Sequence, residues 1–452
     1  MVELEKAGVP TVSFTAEAFA RDARRSAQAF GLPALPIAVV PLPFTNQTPD
    51  EIRRAVDGCI DRVIEALTTP PTLTVETPAA GAPAESLSVD GTDALDVLDR
   101  MTRLFLERGW SDGFPLVPPT PDGVERMLRG TRRARDEVVA VLEPGFGVAT
   151  VEKIAINCVM AGCLPEHLPV LIAAVQAVAE PTFFLRIAAM STGPHAPLIL
   201  VNGPLARELG INSGRGALGP GSQNRANVVI GRALRLIYMN VGQAYPGVMD
   251  MDTIGSANKF SLCLAENEDA NPWSPFHVER GYDRDTSAVT VITVYAQSDV
   301  FDFFNTTPEG ILNTVASAAA NIAVASTGRW LEGSWADPKT KVKILDRNLL
   351  LLCPEHAAII AKHGWSKADV RDYLYRHATL PFRVLRSNRE PSTLIAGRPD
   401  LQWLTQHPDL PLPLVELPEC YEIAVVGGAA GRSMYFYGAH EAITKPIERS
   451  KP

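Results

Sequence analysis

Residues 69–91, TPPTLTVETPAAGAPAESLSVDG, carry four prolines, at 70, 71, 78 and 83, among Ala, Thr and Ser. Such a stretch offers no periodic apolar face and reads as a linker. It divides the chain into a front piece, residues 1–68, and a large second region, residues 92–452. Each must find its own core or borrow one.

The front piece alternates strand and helix. Gly8 to Phe14 is a short apolar strand, and Thr15 caps a helix through Phe30 with Phe19, Ala23, Ala27 and Phe30 at helical spacing. Gly31 stops it, and Leu35 to Val40 is a second strand. Thr48, Pro49, Asp50 and Glu51 form a strong helix start, and that helix runs to Leu67 with Ile52, Val56, Ile60, Val63 and Ile64 facing inward. The alternation predicts a parallel sheet. Two strands are too few for a stable domain, so this piece must dock on the large region or on another subunit, and an oligomer is expected.

The second region predicts a large α/β domain. Strands are expected at Val138–Leu142, Phe183–Ala188, Leu198–Val201, Lys259–Ala265, Ala288–Tyr295, Lys343–Leu352 and Tyr421–Val426. Helices are expected at Asp93–Gly109, Thr150–Cys163, Pro165–Ala179, Ile311–Ala325, Pro354–Lys362 and Ser366–Arg376. The formal charge of −9 argues against nucleic-acid binding. No apolar run approaches the roughly 18 residues of a membrane span, and no signal-peptide pattern opens the chain. A cytoplasmic protein with reduced thiols is expected, since the six cysteines are scattered and fit no disulfide or zinc spacing.

Glycines 210, 214, 216, 219 and 221 form a loop that runs into a helical pattern with Arg225, Arg232 and Arg235. Glycine permits close backbone approach, and a helix start offers unpaired N–H groups. Gly214, Gly219, Gly221, Asn224, Arg225 and Asn227 are therefore candidates to hold a small anion; packing around a glycine turn is the competing reading. The spacing is neither the phosphate-loop nor the dinucleotide fingerprint, so no nucleotide cofactor is assigned. Lys259 is a further candidate, facing either the substrate or the acidic loop Glu266–Glu279.

Cys163 lies between two helices, where a helix N-terminus can lower a thiol's pKa; a small buried junction residue is the alternative. On an ideal helix Cys158 would sit about 140° away, which predicts no local disulfide. Glu152 and Asp112 are candidate acid/base groups, against a solvated first-turn acid and a turn former. Glu266, Glu268, Asp269, His277 and Glu279 cluster in one loop without a recognised metal spacing, so no metal site is assigned. His195 lies in a turn-rich loop, and His356 is expected to face solvent or cap its helix.

Residues 2–68 resemble the C-terminal half of the UGSC-motif (seleno)protein family. The matching phrases are LEKAGVPTV at Leu4–Val12, AFGLPALPIAVVPLP at Ala29–Pro43, and TPDEI at Thr48–Ile52. Residues 93–438 are similar to the long C-terminal region of some members, through NCVMAGCLPEHLPV, VNGP, GINSG, IGRALRL, AENED, NPW and GWSKADV. The family motif, selenocysteine or threonine followed by Gly-Ser-Cys, would precede Met1, and Gly-Ser-Cys occurs nowhere in this sequence. The resemblance implies a reading frame opened after a selenocysteine codon, or a partner chain that carries the motif. It further implies thiol- or selenol-dependent redox or nucleophilic chemistry on a small anionic substrate, with Cys163 as a supporting thiol. A non-catalytic substrate-binding subunit and a metal- or acid/base-dependent lyase or hydrolase are the alternatives.

Overall fold

A computed structural model describes residues 4–5, 7–29, 31–41, 47–69, 86–320, 327–333, 335–336, 342–386, 390–429 and 431–448. Most of the expected linker, residues 70–85, lies outside the described residues.

The front piece is a two-stranded parallel sheet, β1 (Ser13–Ala16) on β2 (Ile37–Val40), with Ser13 opposite Ile37. Helix α1 (Ala20–Ala29) connects the strands. Helix α2 (Pro49–Asp57) starts on a capping box: the Thr48 hydroxyl accepts from the Glu51 amide, and the Glu51 carboxylate accepts from the Thr48 amide at 2.8 Å. The single helix expected through Leu67 breaks at Gly58–Cys59, and α3 runs from Ile60 to Thr68. The break turns Ile60 and Ile64 outward while Val63 stays buried. Strand β1 begins at Ser13, not Gly8. The piece docks on the large region, where Arg186 donates to the Ser26 hydroxyl at 2.6 Å beside Asp22.

The second region opens with α4 (Ala94–Glu107) and α5 (Pro121–Leu128), then a hairpin of β3 (Val138–Leu142) and β4 (Gly147–Thr150). Helices α6 (Val151–Ala161), α7 (Leu168–Val178) and α8 (Leu185–Met190) follow. The strand expected at Phe183–Ala188 is this short helix, entered through Phe184 in the left-handed region at φ +54°. Next come β5 (Ala196–Asn202), α9 (Pro204–Glu208), α10 (Arg225–Asn240), β6 (Cys263–Ala265), α11 (Phe276–Glu279), β7 (Ala288–Phe301) and α12 (Pro308–Ala319). Lys259 ends a short helical turn, so β6 is shorter than expected. Residues 321–325 of the expected Ile311–Ala325 helix lie outside the described residues. The Lys343–Leu352 strand is split: β8 (Trp335–Ala336) pairs β9 (Lys343–Ile344), while β10 (Asn348–Leu352) joins the main sheet. Helices α13 (Pro354–Lys362) and α14 (Lys367–His377), a small ladder of β11 (Thr379–Pro381) with β12 (Pro411–Pro413), α15 (Pro391–Leu394), β13 (Tyr421–Val425) and β14 (Arg432–Pro446) complete the chain.

Six strands form one mixed sheet in the order β13-β10-β14-β7-β5-β6. The outer pairs β10–β13 and β5–β6 are parallel and the inner pairs antiparallel. Alternate residues of a strand face opposite sides. Leu198 and Leu200 of β5, Ile292 and Val294 of β7, Leu349 and Leu351 of β10, and Phe436 of β14 share one core. The sheet thus curls until one face packs on itself. Its edges meet without a ladder: the Asn267 amide donates to Val425 O at 2.7 Å and the Glu266 carboxylate accepts from the Val425 amide at 3.3 Å. The outer face has two covers. Helices α6, α7 and α10 pack with Ile199, Val201, Val289 and Val291, while α12, α13 and α14 pack with Leu350, Leu352, Tyr421, Tyr435 and Tyr437. Among the described residues no single helix is long and apolar enough to cross a membrane.

Candidate functional site

Helix α6 is capped by Thr150, whose hydroxyl accepts from the Lys153 amide at 3.2 Å. It ends at Gly162, φ +88°, the left-handed position glycine favours. That turn sends the Cys163 amide back to Cys158 O at 2.9 Å, and the Cys163 thiol donates to Val229 O at 3.4 Å. The 140° separation expected on a continuous helix fails because the helix has already ended. Leu164 donates to His167 Nδ1 at 3.2 Å, so in the neutral ring Nε2 carries the proton. Burial pushes the Cys163 thiol up. The nearby Cys158 and His167 side chains and the charge of Arg232 outweigh it and bring the thiol down to about 7. Burial and the Cys163 interaction push Cys158 well up. All six cysteines are free and buried.

Arg232, on α10, makes a bidentate pair with Asp112: Nε to Oδ2 at 2.6 Å and Nη2 to Oδ1 at 2.9 Å. Asp112 therefore orients the cation that acts on Cys163 and fixes the GWSDGFP loop to α10. Glu152 does not join them. It pairs with Arg135 at the opposite end of α6, about 16 Å along the helix from Cys163.

The glycine loop plugs one end of the curled sheet, with Ala217 in its inner core. Asn224 Nδ2 donates to Gly216 O at 2.6 Å and to Gly219 O, and its Oδ1 accepts from Asn212. Asn227 Oδ1 accepts from the Asn212 amide at 2.8 Å, while Nδ2 donates to Asn212 O, Ala217 O and Cys263 O at 2.9 to 3.1 Å. The Gly214 amide is taken by Asn212 Oδ1 at 2.8 Å. Gly221, at φ +127°, makes the turn into the helix. These groups hold the loop together, which is the packing reading; Arg225 stands exposed at the start of α10.

Lys259 reaches Asp250 at 2.9 Å and Asp252 at 2.6 Å rather than the acidic loop, and Arg235 reaches Asp250 at 2.8 Å. All four line a cleft of about 870 Å³, together with Asp112, Arg108 and, from the front piece, Arg21. The acidic loop is dispersed among other partners. Glu266 accepts from Asn202, Asn271 and the Phe276 amide. Asp269 pairs with Arg207, and Glu279 with Lys367 and Arg371. Among the described residues no three His, Cys, Asp or Glu side chains converge on a metal position. His356 is buried, not solvent-facing: Nε2 donates to Asp302 O at 2.8 Å and Nδ1 meets the Ser433 hydroxyl at 2.7 Å. Gly427, just beyond β13, donates to Ser213 O at 2.8 Å and so helps hold the glycine loop.

Sequence reasoning passed over His167, although its spacing of four from Cys163 was a usable signal. Arg232 and Asp250 join the site only through tertiary contact.

A model of the UGSC family matches residues 1–69. No curated protein matches the chain, and no solved structure does.

Proposed function

We propose that this chain is a thiol-dependent oxidoreductase in which Cys163 is the attacking thiolate and Cys158 the resolving thiol. The observation that carries the reading is the paired environment of the two sulfurs: His167 and Arg232 favour charge on Cys163, while Cys158 is held protonated against it. The Cys163 thiolate attacks an electrophilic sulfur of the oxidised substrate and forms a mixed disulfide, releasing one thiolate. Cys158 loses its proton to that leaving group and displaces the second substrate sulfur, closing a Cys158–Cys163 disulfide. The substrate departs with two electrons, and an external dithiol restores the pair. The UGSC family match over residues 1–69 is consistent with the resemblance from which thiol or selenol chemistry was expected.

The substrate in this reading is a small anion. Arg21 and Arg108 line the cleft without an acidic partner among the described residues, whereas Lys259 and Arg235 are paired. Arg232 joins cleft and thiol, bonding Asp112 in the cleft wall while its charge acts on Cys163.

The test is oxidation with limiting diamide followed by peptide mapping. The Cys158–Cys163 disulfide is expected first among the six cysteines, and the Cys163→Ser protein gives none. Oxidation elsewhere, with this pair intact, would overturn the reading. A second reading is a substrate-binding subunit whose partner chain supplies the reactive motif. It draws on the exposed Phe14, Ile60, Ile64 and Leu67 of the front piece, which such a partner would cover. Full turnover of Cys163→Ser in the presence of a partner chain would favour it.

A further inference from the structure

The cleft of about 870 Å³ continues into an apolar strip. Ile254 and Phe260, both in its lining, are exposed, and so are Phe114, Val117 and Leu164. Single exposed apolar side chains are ordinary, but a contiguous run rimmed by polar groups marks a binding surface. These residues make such a run. Phe260 meets Phe114 edge to face, 5.1 Å between centroids. Arg232 fixes Phe114: its guanidinium lies 5.5 Å over the ring and donates to Pro115 O at 2.9 Å. Val117 donates to Met160 O at 3.1 Å and so lies against the end of α6. A Cβ on Gly162 would lie 3.8 Å from both Val117 Cγ2 and Val229 Cγ1, and Val229 O accepts from the Cys163 thiol at 3.4 Å. The strip therefore runs from the cleft to the turn that carries Cys163. Cys163 is the most exposed of the six cysteines, at 8%, whereas Cys158 is fully covered.

The other end of the strip is cationic. Docking of α1 through Asp22 and Ser26 sets Arg21, on the neighbouring face of that helix, in the cleft wall. Arg108, just past α4, lies in the wall too, 4.9 Å over the Trp110 ring. Burial pushes the Tyr245 hydroxyl up and the charge of Arg25, one turn beyond Arg21, opposes it, so a third arginine bears on the same wall. The acids of the lining are engaged elsewhere. Asp112 pairs with Arg232, Asp250 and Asp252 pair with Lys259, and Glu107 interacts with Arg103 one turn before it. Arg21 and Arg108 keep no acidic partner among the described residues and are left for a ligand.

We propose that the substrate is a disulfide borne on an apolar chain that ends in a carboxylate. The carboxylate accepts from Arg21 and Arg108, the chain covers Phe260, Phe114 and Val117, and the disulfide meets Cys163. This assignment rests on the thiol-dependent reading and narrows its substrate. The Cys163 thiolate breaks the substrate S–S bond and bonds one of its sulfurs; the other leaves and takes the Cys158 proton. Cys158 then bonds the Cys163 sulfur and expels the first substrate sulfur as a thiolate. The substrate has gained two electrons, and the chain holds the Cys158–Cys163 disulfide.

The exchange is reversible, so its specificity can be read from the oxidised side. The full chain is oxidised with diamide to the Cys158–Cys163 disulfide. It is then mixed with dihydrolipoate, an eight-carbon acid with a dithiol at its far end, or with dihydrolipoamide, the same dithiol with a neutral end, and the return of the two thiols is followed. Dihydrolipoate is expected to react saturably and, at low concentration, at least about tenfold faster than the amide, the factor one charge-assisted hydrogen bond supplies. Octanoate, with the chain and carboxylate but no sulfur, competes with it, and acetate does not. Arg21→Gln and Arg108→Gln each narrow the acid-to-amide ratio, which is taken within one protein and is not moved by a general loss of stability. Equal rates for acid and amide, or no competition by octanoate, would overturn the substrate assignment and leave the thiol reading standing. If diamide forms no Cys158–Cys163 disulfide, the thiol reading falls and this assignment falls with it.

Discussion

Replacing Asn227 by leucine separates a glycine loop that is a structural plug from one that is a ligand cradle. The side chain is 3% exposed, and its carboxamide holds the Asn212 amide at 2.8 Å and the carbonyls of Asn212, Ala217 and Cys263 at 2.9 to 3.1 Å. Leucine keeps the volume and removes all four bonds. The stranded N–H costs about 1 to 3 kcal/mol, and each carbonyl that loses its donor adds a smaller amount. The expected loss is about 3 to 4 kcal/mol, read as a lower urea midpoint at unchanged slope. Asn227→Asp, which sets an anionic oxygen against three carbonyls, is expected to cost at least as much. Arg225→Ala, at an exposed position, stays within about 0.5 kcal/mol. A midpoint for Asn227→Leu within about 1 kcal/mol of wild type would refute the plug.

Lys259→Met strips Asp250 and Asp252 of a cation where the three side chains are 12%, 4% and 7% exposed; breaking such a buried pair costs about 3 kcal/mol and lowers the thermal midpoint. An unchanged midpoint would mean that water already solvates these acids. A histidine held neutral in the fold favours the unfolded chain as pH falls, because the unfolded imidazole binds its proton first. His195, down to about 4 by burial and the charges of Lys259 and Arg329, and His440, down to about 3 by burial and Arg329, contribute stability that is full above their unfolded value of 6.5. It is lost as pH falls from 6.5 toward those values, about 3 kcal/mol for His195. Urea midpoints between pH 6.5 and 4 should drop less steeply in His440→Gln than in wild type; equal slopes would mean His440 is not held neutral.

The front piece was legible because caps and apolar spacing are local: the helix starts at Thr48 as expected, closed there by a capping box with Glu51, and the two strands pair in parallel as the alternation requires. The helix break at Gly58–Cys59 was missed because Ile60 and Ile64 continue the apolar spacing although they point outward. The longest strand, β14, was not foreseen. Its Gly438–Ala439–His440–Glu441 stretch interrupts the period-two pattern, and in the fold that stretch is a bulge. The same difficulty governs the site. Cys163 and Asp112 could be named from their local settings, but Arg232, which connects them, lies 120 residues from Asp112 and approaches only through α10 packing. The dense glycines suggested a ligand loop. What they permit is a compact plug, and the asparagines that looked like ligand donors are spent closing it.

The central claim is that Cys163 is a thiolate near neutral pH because His167, Cys158 and Arg232 favour its charge over the cost of burial. Its direct test is a pH titration of thiolate ultraviolet absorbance in wild type minus Cys163→Ser, a difference that isolates one sulfur without requiring a reagent to reach it. The account predicts a transition centred at about 7, moved upward by His167→Gln. A difference curve with no transition below the ordinary thiol value of about 8.5 would contradict it.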